Sequence, residues 1–281
     1  MTEIIEVNGA SMLEAINRSE VDMQIVTAHK FPRDIEECKK NIEALATMDD
    51  AIAYNCFYHL ERTDKNGQKA VIEGPSVRLA EIISTCWKNL RVAARIIGND
   101  GKTITAQGVC HDLETNVAIS VEVKRSILTS KGNTYSQDMQ VVVGNAAASI
   151  ALRNAVCKVV PQVLIKSVVQ NIQSRALEHI KKMGVEESWK SWVAYMQNNF
   201  HVKEAMMLDY LGKKREELTV EDVQKIVGVY NAINEGSTTV EESFKKPKEQ
   251  AQQAKDAKKV AEGVQQKAQQ AMSRATSRNK Q

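Results

Sequence analysis

The sequence predicts an α+β fold: an antiparallel β-meander packed on helices, followed by a small C-terminal helical domain and a basic tail. Three observations predict it. Residues 91–97, 102–110 and 117–127 alternate apolar and polar side chains, the period of a half-buried strand. Clusters of Asn, Asp and Gly join these segments through turns too short for a parallel crossover. On both sides lie longer stretches whose apolar residues recur at helical spacing. With 281 residues, 43% apolar and 26% charged, the chain is long enough for one substantial core and a second small one.

In chain order, residues 1–50 read as an N-terminal helical segment. Met12, Ile16 and the Met23, Ile25, Val26 group mark one helix, and Pro32-Arg33-Asp34 opens another over 35–47. Residues 51–183 form the α+β core. Segments 51–60 and 69–72 flank Asp64-Lys65-Asn66-Gly67, and Asn-Gly between apolar runs predicts a hairpin. Gly74-Pro75 breaks the second strand and starts a helix over 77–90, Pro75 suiting a first turn that needs no N–H from it. In the first meander strand Val92, Ala94 and Ile96 share one face and Arg91, Ala93 and Arg95 the other. In the third, Val117, Ile119, Val121 and Val123 point inward and Ser120, Glu122 and Lys124 outward. A further strand is expected over 135–143, leading into a closing helix over 145–160 that Pro161 stops. A helix over 163–183 follows and ends at Gly184. Residues 184–245 hold enough Trp, Met, Leu, Val and Ile for a small helical domain, with Thr219 and Asp222 spaced as a capping box. Residues 246–281 are Lys, Gln and Ala with few large apolar side chains, a composition expected to stay flexible.

Net charge is +3, unevenly spread: the tail from Pro247 carries eight basic residues against three acids, a net +5 that leaves −2 on the rest. A basic surface on the folded part must therefore come from local clustering. The five cysteines are far apart and never in a C-x-x-C, which predicts buried free thiols and a reducing compartment, a cytoplasm. No apolar run is long enough to span a bilayer. Phosphate-binding, metalloprotease and serine-hydrolase motifs are absent, and His29, His59, His111, His179 and His201 lack metal-ligand spacing. No cofactor is expected.

One catalytic constellation is worth weighing. Asp112 at a strand end and Glu122-Val123-Lys124 on the next strand follow the order of PD-(D/E)xK nucleases, whose carboxylates hold a magnesium ion. The same alternation puts E-x-K on the solvent face of ordinary strands, so a cross-strand charge pair is the competing account.

The closing helix carries a different signal. Arg153 projects beside Ile150 and Cys157 at the border of the apolar side, where a permanent charge must find a carboxylate, a backbone cluster or a phosphate. Ala146, Ala147, Ala148 and Ala151 permit close approach of another element. Arg91, Arg95 and Lys124 share one polar sheet face, a stripe able to follow a phosphate backbone, with Arg125 and Lys131 nearby. Phe57, Tyr58 and Tyr135 are the nearest rings for base stacking, so backbone contact with little sequence readout is expected.

The order of hairpin, helix, meander and small-residue helix resembles the core of phage single-strand annealing proteins, the RecT/Red-beta and Erf-like group, and the Rad-type annealing recombinase. The likeness lies in residues 72–81, the turn at 98–101, and Ala148-Ser-Ile-Ala-Leu-Arg-Asn-Ala-Val-Cys-Lys-Val-Val-Pro161. It implies an annealing-recombinase-like core that binds single-stranded DNA and anneals complementary strands without ATP, as a ring or filament of identical subunits. It also implies that Arg153, Lys158 and Arg78 contact DNA, and that residues 184–245 recruit an exonuclease or the host single-strand-binding protein. The family's basic cluster is denser than Arg153 and Lys158 alone. The alternatives are a magnesium-dependent nuclease, a single-strand binder that does not anneal, and an adaptor that binds no nucleic acid.

Overall fold

The computed structural model describes residues 9–63, 68–129 and 132–244. Three helices come first: α1 (Gly9–Lys30), α2 (Ile35–Ala46) and α3 (Asp50–Asn55). Asp34 caps α2 by accepting from the Glu36 and Glu37 amides, and Asp49 caps α3 by accepting from Ile52. The Asp49 cap makes residues 50–55 helical where the apolar run suggested strand. The hairpin is therefore shorter than its apolar run, β1 (Phe57–Thr63) pairing antiparallel with β2 (Lys69–Pro75); the turn at 64–67 lies outside the described residues.

Ser76 caps α4 (Val77–Cys86) by accepting from the Leu79 amide. This helix stops before residue 90 because Lys88 and Asn89 take left-handed backbone (φ 62° and 51°) that turns the chain into the sheet. That sheet is a three-stranded antiparallel meander, β3 (Leu90–Asn99), β4 (Thr103–Asp112) and β5 (Val117–Ser126), with β4 in the centre. A bulge at Ile97 interrupts the β3 ladder.

Helix α5 spans Gln137–Val159, so the strand expected over 135–143 does not form. Ser136 caps the helix by accepting from Met139, and Asp138 in the first turn complements the helix dipole. Pro161 breaks the chain before α6 (Gln162–Met183), and the two helices meet at 116°. The C-terminal helices are α7 (Val185–Phe200), α8 (Glu204–Leu211), α9 (Val220–Asn234) and the short α10 (Val240–Ser243). Thr219 and Asp222 make the expected capping box on α9. Among the described residues no single helix is long and apolar enough to cross a membrane.

Alternation along β4 decides how the layers stack. Ile104, Ala106, Gly108, Cys110 and Asp112 face inward and are buried, and α5 crosses over them. The crossing is so close that a Cβ at Gly108 would lie 2.2 Å from the Ala151 carbonyl. Ala147, Ala151 and Ala155 are buried along the same helix, the close approach that the alanine run suggested. Apolar side chains of α2, α4, α5 and α6 fill the main core, Leu79 and Ile83 among them, and each fully buried one contributes roughly 1.5–3 kcal/mol. A second core around Trp189, Met196 and Val223 joins α7, α8 and α9.

The two cores meet at α9. Val227 belongs to the main core, and Asn231 donates to the carbonyls of Tyr54 and Phe57. Gly228 lies against β1, where a Cβ would sit 2.5 Å from that of His59. Buried His59 hydrogen-bonds Glu73 at 2.6 Å and faces Glu61 at 3.7 Å. Burial alone would lower its pKa; the two carboxylates outweigh burial and raise it.

Two outcomes are expected. Gly108→Ala should cost about 3 kcal/mol or more in chemical denaturation, because backbone stands where the methyl would go. His59 has a folded pKa above its unfolded one, so its contribution is complete below about pH 6.5 and is lost as pH rises through the folded value. Urea titrations above that pH should show wild type losing stability relative to His59→Gln.

Candidate nucleic-acid interface

The expected site residues separate into three groups. The first is consumed by the interior. Arg153 is 7% exposed, and its guanidinium lies 4.7 Å above the Tyr58 ring and 3.4 Å from the Glu235 carboxylate. Glu235 is as enclosed as Arg153 and also accepts from the Val77 amide at 2.6 Å, which caps α4 from another part of the chain. Burial raises the Glu235 carboxyl above its ordinary range, with the Val77 amide and Arg153 acting against that rise. The expected DNA contact at Arg153 is thus an internal ion pair, because a guanidinium on the helix flank next to Glu235 loses its water. Arg125 likewise faces inward and donates to the carbonyls of Gly236 and Ser237 just past α9. Of the expected stacking rings, Phe57 is buried and Tyr58 lies beneath Arg153.

A second group is exposed but scattered. Arg78 pairs with Glu81 on α4 at 2.7 Å. Lys158 is exposed on α5 and has no ion pair among the described residues, yet with Arg153 buried it stands alone and makes no basic furrow beside that helix. Lys131 and the basic tail lie outside the described residues.

The third group shares the outer face of the meander. Cross-strand register puts Arg91 beside His111 and Ala118, Arg95 beside Gln107 and Glu122, and Thr105 beside Lys124. Arg91 donates to Gln24 of α1 and Arg95 to Gln107, both neutral amides. Among the described residues none of Arg91, Arg95 and Lys124 has a carboxylate partner. Thr103, Thr105, Ser120 and Ser126 lie among them, with Ala93, Val109 and Ala118, on a face that α5 does not cover. His111, weighed in the sequence as a metal ligand, sits on this face too, one position from inward-facing Asp112, as strand alternation requires.

The nuclease constellation is not assembled. Asp112 points inward while Glu122 and Lys124 point outward, and Glu122 pairs with Gln107, five residues along β4 from Asp112. Arg33, on the link between α1 and α2, claims Asp112 through two hydrogen bonds of 2.8 and 2.5 Å and Glu114 through its Nε at 2.8 Å and its backbone amide at 3.0 Å. It stacks 5.0 Å above the Trp87 ring, and Asn89 donates to Glu114. Burial would raise the Asp112 carboxyl, but Arg33 overrides it and holds the group below the usual range. No sequence signal pairs Arg33 with acids some eighty residues away. No group of three or more His, Cys, Asp or Glu able to hold a metal occurs among the described residues.

Comparison of the chain with protein-family models, curated proteins and solved structures gives no match.

Arg153→Ala would strand the buried Glu235 carboxylate, so it should cost roughly 3–5 kcal/mol in denaturant titrations. Lys158→Ala, at an exposed position, should stay within about 0.5 kcal/mol of wild type in the same assay.

Proposed function

We propose that the protein binds single-stranded DNA by its sugar–phosphate backbone and anneals complementary strands without ATP, as an oligomer. The outer meander face carries the reading: Arg91, Arg95 and Lys124 stand there without carboxylate partners among the described residues, among short hydroxyl side chains. Cations on such a face hold phosphates, and with no Phe, Tyr or Trp on the outward positions of the three strands, His111 is the one ring there for base stacking. A strand held by its phosphates keeps its base edges free for a complementary strand. Annealing makes and breaks no covalent bond, so it asks of this face only cations and hydrogen-bonding groups for the sugar–phosphate chain.

The C-terminal helices have a part in this scheme. Trp192, Tyr195, Phe200 and Tyr230 form a chain of ring contacts, with Tyr195 54% exposed. Partly exposed Trp and Tyr clusters anchor protein partners, and an exonuclease or the host single-strand-binding protein is the proposed occupant.

The test is salt-dependent binding of oligonucleotides. For single strands log K falls by about 0.7 per phosphate neutralised, so Arg91→Ala with Lys124→Ala should flatten the slope by about 1.4 and weaken all sequences alike. An unchanged slope removes the outer face from the binding surface. An annealing assay with complementary oligonucleotides then distinguishes annealing from plain strand binding.

A further inference from the structure

The meander has two free edges, and they differ in a complementary way. Among the described residues neither the outer edge of β3 nor that of β5 takes a backbone hydrogen bond from another segment. Free edges of this kind recruit a further strand. Helix α5 lies mainly over β4 and β5 and covers the inner face of β3 only in part: Leu90 and Val92 pack against the main core and Gly144 lies against Ile96, yet Ala94 is exposed and Ile96 is 48% exposed. Charge follows the same division. Arg95, Gln107 and Glu122 form one row across the outer face, so Arg95 stands on one edge and Glu122 on the other. The Arg95 guanidinium donates to the Gln107 amide oxygen at 3.1 and 2.9 Å, and Glu122 is exposed with no ion pair among the described residues.

We infer that the β5 edge of a second copy lies along the β3 edge of the first and continues the sheet between subunits. Both strands run antiparallel to β4 and hence parallel to each other, so the joint is a parallel pairing. With the rows aligned, Glu122 of the second copy stands one strand spacing, about 4.8 Å, from the Arg95 backbone. In the same alignment Val121 and Val123 of the second copy come beside Ala94 and Ile96. The second copy's α5, seated over its own β5, then covers Ala94 and Ile96, the part of the inner β3 face left exposed in one copy. Two different surfaces meet, so the contact is heterologous and extends into a closed ring or an open filament. Arg95 is neutralised by Glu122 in this arrangement, while Arg91 and Lys124 keep facing outward and align along one continuous face. The inference builds on the self-association in the proposed function and gives it an interface.

Light scattering after size-exclusion chromatography of the full chain, without nucleic acid, tests it. Wild type should run as a multi-subunit species. Arg95→Glu and Glu122→Arg should each weaken association about tenfold or more, since like charges would face each other, and the combined variant should recover it. A monomeric wild type, single reversals that leave the mass unchanged, or a combined variant no better than either single overturns the interface. Hydrogen exchange on wild type needs no variant: amides of residues 91–97 should gain protection as concentration rises, and their failure to do so also overturns it. Because DNA is absent throughout, failure here leaves strand binding by Arg91 and Lys124 to its own assay, and loss of strand binding leaves this interface standing.

Discussion

The contact between Gly108 and the Ala151 backbone is the constraint on which the rest of the structure depends. A helix that touches a central strand this closely fixes which side of the meander is interior. Strand alternation does the rest: once Gly108 faces α5, Asp112 and Arg125 must face inward and Arg95, Glu122 and Lys124 must face outward. A slip of one residue would exchange those sets. The outward side of the sheet is largely open because α5 packs on the other side, with α1 reaching only the Arg91 end.

Around that contact the protein uses arginines as structural links between distant segments. Arg33 joins the α1–α2 link to the end of β4, Arg125 holds the carbonyls after α9, and Arg153 meets Glu235 at the start of α4. Each supplies planar, multiply directed donors to acceptors that other parts of the chain bring to it. Removing such groups from water is costly, so their partners are enclosed with them. The cations left in solvent on the meander hydrogen-bond amides where they bond at all, and Glu122, the acid that shares their face, makes no ion pair among the described residues.

Much of the fold is legible in the sequence where the signals are local. The three meander strands, the turns between them, the Thr219 cap and the break at Pro161 all follow from residues within a few positions of one another. Local signals also explain the differences: Asp49 and Ser136 are caps, and each turns an apparently strand-like run into helix. The binding face was half legible. Alternation put Arg91, Arg95 and Lys124 together, but one strand cannot reveal which of its faces a helix covers. Arg153 shows the limit. Its place on the helix required a negative partner, and that partner lies 82 residues away at the end of α9, beyond any periodicity.

The cysteines have a practical consequence. Burial pushes the thiols of Cys56 and Cys110 up to about 12 and that of Cys157 up to about 11, and Cys38 is enclosed as well. At neutral pH almost none of these sulfurs is thiolate, the form that attacks electrophiles. Burial raises the Cys86 thiol too, but Cys86 is only half-buried, at the end of α4 in the shallow groove with Leu45 and Met48, and is the accessible one of the five. A maleimide dye would therefore mark that one position in the native chain, giving fluorescence work a single-point handle without any cysteine having to be engineered away.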